Sequence, residues 1–405
     1  MGPGVDLRST ASRRGDDMSS ILFLAHRLPY PPDRGDRIRS WHLLKAMLPL
    51  APVHVCALED GADVAGPLAF LSEQVASVTV DQKPLAKGRA VLAALASGKP
   101  ASVCAFASDK IAARVKELIA TGSISTIYAY SGQMAQFVPA SFTGRFVMDF
   151  VDMDSAKFKA YGGFANAQEG KRLFAFEKAT AQRANLSLFV SDAEASLFRR
   201  ETGLGPDKVA FIENGIDLER FSPRQNERAQ TAPLIIFTGQ MDYRPNIEAV
   251  ESFARETMPM VRAAHPKARF AIVGRAPTSE VLALATLPGV EVTGEVPDTR
   301  DWLESADLVV APLKLARGIQ NKVLEAMAME KCVIASPAAA EGIDAIPGDE
   351  LVIADGPAAQ AEAVRVLLAN PDQATAIGQA ARARMEARYS WDARLAGLPA
   401  ILGFA

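Results

Sequence analysis

The sequence predicts an α/β chain of two doubly wound domains facing a central cleft, and three observations carry that expectation. Short apolar runs of strand length alternate with longer helical stretches from Ile21 to the C-terminus. The succession of strand, loop and helix starts twice, at Ile21 and again at Leu234. Between the two starts, residues 222–233 are polar and flanked by Pro223 and Pro233, which is linker composition. A chain of 405 residues is too long for one ordinary core and suits two domains.

In the first half, Ile21 to Ala25 reads as a strand. His26-Arg-Leu-Pro-Tyr-Pro-Pro-Asp-Arg-Gly-Asp36 follows as a loop punctuated by proline and glycine. Ile38, Trp41, Leu44 and Leu48 give a helix its apolar face, and Val53 to Leu58 closes a βαβ unit. His26, Arg34, Gly35 and Arg37 then lie on a loop at the carboxyl end of a strand, where ligands of such sheets bind; a solvated surface loop is the plainer alternative. Ile124 to Tyr130, Arg145 to Asp149, Leu186 to Val190 and Val209 to Ile212 read as further strands, with a long helix over 164–185 and Ser191 as a helix cap. Of the acidic cluster Asp149, Asp152 and Asp154, the first stands nearest the strand end and is the active-site candidate, while Asp154 or Ser155 suits a helix cap.

In the second half, Leu234 to Phe237, Arg269 to Val273, Val290 to Val292, Leu308 to Ala311 and Val333 to Ala335 are the strands. Gly239 is the first turn, and a helix spans Asn246 to Glu256. The most informative stretch is Ala306 to Met329. Pro312 stops the β-branched strand, Gly318 loosens the loop, and a helix starts near Asn321. A helix start offers free N–H groups and a partial positive charge to an anion. Arg317 and Lys322 bracket that start, and Glu325 follows one turn after Lys322 on the same side. Two cations and a carboxylate suit a diphosphate attached to a ribose. A solvated helix end with an i,i+3 Lys–Glu pair explains the same residues.

Hydrophobic residues at 49%, charged residues at 22% and a net charge of −3 describe a globular chain with no general case for nucleic-acid binding. Cys56, Cys104 and Cys332 are too scattered for a metal or disulfide framework and favour a reducing, cytoplasmic setting. No apolar run reaches the ~20 residues of a membrane span. Residues 1–18 are polar and read as a flexible leader, with Met18 as a second candidate start. One span is locally basic. Lys83, Lys87, Arg89, Lys99, Lys110, Arg114 and Lys116 are opposed only by Asp109, so the segment fits either peripheral contact with an anionic membrane or an ordinary solvated face.

Together these motifs resemble the retaining, nucleotide-sugar-dependent glycosyltransferases of the group-1 family and GT-B fold, over nearly the whole chain from Ile21. They look most like the sugar transferases of PEP-CTERM/EpsH-type exopolysaccharide clusters. The resemblance rests on His26 to Asp36, Glu213-Asn-Gly-Ile-Asp217, Phe237-Thr-Gly-Gln-Met-Asp242, Ile272-Val-Gly274, Gly294-Glu-Val-Pro-Asp298 and Ala316-Arg-Gly-Ile-Gln-Asn-Lys-Val-Leu-Glu-Ala-Met327. It implies a Rossmann-like acceptor-binding domain over 19–224, a linker at 225–233 and a Rossmann-like nucleotide-sugar domain over 234–388. A C-terminal helix at 389–405 would pack back on the first domain. It further implies a donor held by Gly239, Val296, Arg317, Gly318, Asn321 and Glu325, with Arg244 and Lys322 as catalytic residues; Asp149 joins them as the strand-end candidate, and His26, Arg34 and Gly35 lie on the acceptor side. No metal or other cofactor is implied, and the acceptor would be a glycan or a lipid-linked sugar. One departure stands out: many members carry two glutamates separated by seven residues, and counting back from Glu325 gives Arg317. Rival readings are a GT-B nucleotide-sugar epimerase or phosphorylase, separable by product analysis without acceptor, and a non-catalytic two-lobed sugar-binding protein. A nicotinamide dehydrogenase is disfavoured because neither first turn reads G-x-G-x-x-G.

Overall fold

The computed structural model describes residues 19–59, 64–82, 90, 94, 98–161, 163–224, 232–316 and 319–404; the side chains of 159–161, 164 and 165 are also outside the description. The expected leader, residues 225–231 of the expected linker, Lys83, Lys87 and Arg89 of the basic span, and Arg317 and Gly318 all lie outside the described residues. Two compact units divide the chain, Met1–Asn214 together with Leu395–Ala405, and Gly215–Arg394.

The first unit is a parallel sheet of β1 (Ser20–Ala25), β2 (Val53–Glu59), β3 (Ser77–Gln82), β4 (Ile124–Tyr130), β5 (Arg145–Val151), β6 (Leu186–Phe189) and β7 (Val209–Phe211). Its order is β3-β2-β1-β4-β5-β6-β7, with Phe23 aligned between Val55 and Tyr128. Helices α1 (Gly35–Met47), α2 (Ala65–Gln74), α3 (Asp109–Ala120), α4 (Asp154–Tyr161), α5 (Phe164–Arg183) and α6 (Asp192–Thr202) connect the strands. Because central strands of such a sheet are covered on both faces, Ile21 to Ala25 is apolar throughout and fully buried. Ser108 and Ser191 cap α3 and α6 by accepting from Ile111 N and Glu194 N.

Two features differ from the sequence reading. Strand β3 escapes it because its residues are only half-buried and interleave polar with apolar types. The buried face of α1 is Arg39, Ser40, Leu43, Leu44 and Met47 rather than the Ile38, Trp41, Leu44, Leu48 stripe. The helix turns Arg39 inward to an ion pair described below, and Trp41 joins Tyr30 and Phe70 in a half-buried aromatic cluster instead.

The second unit repeats the plan with β8 (Leu234–Thr238), β9 (Arg269–Val273), β10 (Val290–Gly294), β11 (Leu308–Ala311), β12 (Val333–Ala335) and β13 (Val352–Ile353), all parallel, in the order β10-β9-β8-β11-β12-β13. Its helices include α7 (Arg244–Ser252), α8 (Thr299–Ser305), α9 (Asn321–Ala328), α10 (Gly356–Ala369) and α11 (Pro371–Arg384). A last helix, α12 (Leu398–Leu402), belongs to the first unit, where Ile401 O accepts from Arg145 and Leu402 O accepts from Thr126 Oγ1 at 3.1 Å. Among the described residues no helix is long and apolar enough to cross a membrane.

Candidate functional site

In a doubly wound sheet the strand order reverses at one point, and the loops leaving the two strands there diverge to open a binding crevice. In the second unit that point lies between β8 and β11. The β8 loop runs from Gly239 into α7, and the β11 loop runs into α9, which carries Lys322 and Glu325. Lys322 Nζ donates to Asn246 Oδ1 at 2.5 Å and lies 4.3 Å from the centroid of the Phe237 ring, while Asn246 Nδ2 donates to Gln240 O at 2.8 Å. The two loops therefore meet through one ammonium. Glycine is required at this meeting. A Cβ on Gly239 would come within 2.9 Å of Asn246 Nδ2 and 3.0 Å of Lys322 Nζ. Gly274, at φ +149°, brings the β9 loop so close that a Cβ there would lie 1.7 Å from Gly239 O.

The charges at this crevice are poorly compensated. Burial pushes the Lys322 ammonium down to about 8, against the opposing pull of Glu325. Burial likewise pushes the half-buried Glu325 carboxyl up to about 7, with Arg220 and then Lys322 drawing it back. Among the described residues no hydrogen-bond donor reaches Glu325, and Asn246 Oδ1 is the one acceptor that Lys322 Nζ uses. No side chain caps α9: Gln320 O accepts from Val323 N and Leu324 N, and the amides of Asn321 and Lys322 have no acceptor among the described residues. A half-buried cation and a half-buried carboxylate at a helix start together suit a ligand bearing both phosphate and hydroxyls.

The remaining donor-side candidates stand as follows. Asn321 is exposed at the α9 start, while Val296 is half-buried against the core just beyond Gly294. Asp298, two residues further on, is committed elsewhere. It caps α8 by accepting from Arg300 N, and its ion pairs with Arg300 and Arg224 hold its carboxyl down at about 2. Arg244 heads α7 but points outward, its Nε donating to Glu248 Oε1 at 2.7 Å on the same helix. It does not share Lys322's contacts. Such an exposed i,i+4 pair is screened by water and offers little resistance to a competing anion.

In the first unit, the reversal lies between β1 and β4, and His26 sits there. Its Nε2 is 3.3 Å from Asp36 Oδ2, its ring packs against Tyr130 and Phe106, and its buried Nδ1 has no partner among the described residues. Arg27 and Arg34 also pair with Asp36, at 2.6 and 3.1 Å, and the hydrogen bonds from His26 and then Arg27 hold its carboxyl well below the usual range. Arg34 remains half-exposed and Gly35 opens α1 beside free space. Arg37 is not available as a ligand group, because it is paired to the buried Glu59 at 3.0 and 3.1 Å and to Asp33. Asp152 and Asp154 both hold Lys157, and Ser155 donates from Oγ and N to Glu177.

Asp149 requires a correction. It is fully buried, Oδ2 accepts from Arg39 Nε and NH2 at 3.2 and 3.0 Å and from Tyr128 OH at 2.8 Å, and Oδ1 accepts from Val151 N at 3.0 Å. Both oxygens are occupied inside the sheet, and the carboxylate has no face toward a ligand. Its partner Arg39 is equally buried and completes its bonds on Ile212 O and Asn214 Oδ1. The aspartate is structural.

Asn246, Phe237, Gly274 and Arg220 join the donor-side residues without having been chosen as site residues from the sequence. A cavity of about 580 Å³, lined in part by Pro233, Asp307, Leu308 and Cys332, lies at the opposite, amino end of the second sheet and is remote from these groups. Among the described residues no group of three or more His, Cys, Asp or Glu side chains could hold a metal ion.

Residues 232–370 match the family model of the group 1 glycosyl transferases. The matched stretch lies within the second unit and takes in β8 to β13. The whole chain is similar in fold to Anabaena HepE solved with UDP, at TM-score 0.63 and 17% identity over 95% of this chain and 100% of that one. It is also similar to a glycosyltransferase from Rickettsia africae, at TM-score 0.62 and 14% identity over 96% and 99%. A third likeness is to sucrose-phosphate synthase from Thermosynechococcus elongatus, at TM-score 0.61 and 20% identity over 95% and 98%. Among curated proteins none matches the chain. The architecture is the GT-B fold, two Rossmann-like domains in one chain.

Proposed function

We propose that the second unit binds a nucleoside diphosphate sugar at the α9 start and that the chain transfers the sugar, with retention of anomeric configuration, to a glycan or lipid-linked acceptor held by the first unit. The observation that carries the reading is the pairing of Lys322 with Asn246 beside Glu325, at the strand-order reversal of a domain that matches the family. The Lys322 ammonium and the start of α9 face the diphosphate, and the Glu325 carboxylate accepts from two ribose hydroxyls. Arg244 leaves Glu248 to join the phosphates, as the low worth of that exposed pair permits.

As the bond from the anomeric carbon to the phosphate oxygen breaks, negative charge grows on the leaving diphosphate. A preorganised ammonium and helix start stabilise it, and this account calls for no metal. The acceptor oxygen bonds to the same face of the anomeric carbon, and its proton passes to the leaving phosphate. With Asp149 buried and saturated, no protein nucleophile is assigned. HepE has been solved with UDP and with UDP-glucose, which makes uridine the first base to test. The exopolysaccharide setting and peripheral contact with an anionic membrane belong to the same proposal through the resemblance of His26 to Asp36 and Ala316 to Met327. A thermal-shift screen of UDP-, GDP- and ADP-sugars tests it: a ligand at a hundred times its Kd adds about 2.7 kcal/mol. Stabilisation by one base class is expected, and no response to any of the three would refute the reading.

A further inference from the structure

Asn246, the third residue of α7, is only 5% exposed, and its side chain stands between two fixed groups. One is a carbonyl: Gln240 O accepts from Nδ2 at 2.8 Å. The loop that carries this carbonyl is pinned on both sides, Gly239 N donating to Val273 O at 3.0 Å and Met241 N to Arg275 O at 2.9 Å. The other group is the Lys322 ammonium, whose Nζ donates to Oδ1 at 2.5 Å. A carbonyl only accepts and an ammonium only donates, so the amide has a single orientation that satisfies both. A carboxylate here would oppose the Gln240 carbonyl, and an amine would oppose the lysine. Gln240 O, Asn246 and Lys322 thus form one line of hydrogen bonds from the β8 loop to the start of α9.

We propose that Asn246 is a positioning residue of the donor site, holding the Lys322 ammonium in place through a neutral oxygen so that its positive charge stays whole for the phosphates. The second contact of the ammonium is neutral too, the Phe237 ring of β8 with its centroid 4.3 Å away. Among the described residues no carboxylate lies within ion-pair distance of Nζ, and Glu325 of its own helix is the one charged group acting on it. An aspartate at position 246 would fix the ammonium equally well and cancel it. The asparagine fixes it without that loss, and it does so before a ligand arrives, so the cation needs no rearrangement as charge grows on the leaving diphosphate. Gly239 leaves the room in which the amide and the ammonium meet, since a Cβ there would crowd both.

This inference rests on the nucleotide reading, and the test separates the two. UDP is the leaving group of the proposed donor, so its binding to the full chain, measured by calorimetry at pH 7, reports how well the diphosphate charge is met. Asn246→Ala is expected to weaken binding about tenfold, the worth of one well-placed hydrogen bond. The same substitution made in Lys322→Ala is expected to change nothing further, because the asparagine acts through the lysine. Asn246→Asp keeps the side-chain shape and an oxygen beside Nζ, and it is expected to weaken binding as well. Wild-type affinity in either single variant overturns the role, and so does an equal loss from Asn246→Ala with and without Lys322. Without any nucleotide, the ¹³Cε titration of Lys322, assigned by its loss in Lys322→Ala, rises from about 8 in Asn246→Asp as a carboxylate replaces the amide. An unmoved titration overturns the role, for it would mean that position 246 does not hold the ammonium. Failure of wild-type protein to bind UDP, GDP or ADP would instead strike at the proposed function, with the carbon titration still judging Asn246.

Discussion

Replacing Asp149 by alanine separates a structural carboxylate from a catalytic one. In the native unit Asp149 answers four donors, Arg39 Nε and NH2, Tyr128 OH and Val151 N, and the side chains of Asp149, Arg39 and Tyr128 are all buried. Asp149→Ala leaves Arg39 with only Ile212 O and Asn214 Oδ1 and strands a cation inside the sheet. Breaking a buried pair by deleting one partner costs ~3–5 kcal/mol. At ~2–4 °C per kcal/mol for a unit of this size, the transition of the first unit falls by about 6–20 °C. Replacing both partners, Arg39→Met with Asp149→Leu, removes charge and counter-charge together and recovers most of the loss. Differential scanning calorimetry of the wild type, both singles and the double provides the comparison. The reasoning is refuted if Asp149→Ala keeps its melting temperature while losing turnover, for that is how a catalytic carboxylate behaves.

Lys322→Ala is expected to lower kcat more than it raises KM, by about 3 kcal/mol in transition-state terms, because the charge it faces grows as the donor bond breaks; steady-state kinetics showing a change confined to KM would assign it to ground-state binding. Burial raises Glu177 to about 7, so in the folded unit it holds a proton that the unfolded chain has lost above about 4.5, and its contribution to stability falls as pH rises between those values. Glu177→Gln therefore stabilises the first unit at pH 8 relative to pH 5 by up to about 3 kcal/mol, checked by urea titration at the two values. Cosedimentation with anionic but not neutral vesicles at low salt is expected if the basic span meets a membrane, at roughly 1 kcal/mol per well-placed cation; within that span Lys110 is bonded to Val80 O and Arg114 to Glu117, so loss of binding on reversing Lys83, Lys87 and Arg89 is the decisive comparison.

The strands were legible wherever a sheet buries both faces, as in Leu308 to Ala311, where apolar residues follow one another without alternation. They were illegible at the sheet edges: β3 is half-solvated, and β13 has two residues. Lys322 and Glu325 could be found because a helix places residues three apart on one side and because Pro312 and Gly318 announce the turn before it. The partners that complete their site come from distant sequence. Asn246 is 76 positions from Lys322, and nothing local marks it as more than a helix residue. The error over Asp149 has the same origin. An acidic residue at a strand end invites a catalytic reading, and the arginine that claims it lies 110 positions away on a helix whose apolar stripe suggested a different inward face.

The central claim is that Glu325 holds the ribose of a nucleoside diphosphate, and isothermal calorimetry of UDP binding to Glu325→Ala tests it most directly. The variant is expected to fold with a melting temperature at pH 8 no lower than that of the wild type, because there the half-buried carboxylate is a burden rather than a support. Its affinity is expected to fall by about ten- to a hundredfold, the worth of hydrogen bonds to a charged acceptor. A correctly folded Glu325→Ala that binds UDP as tightly as the wild type would contradict the account and leave Glu325 as a helix-surface residue.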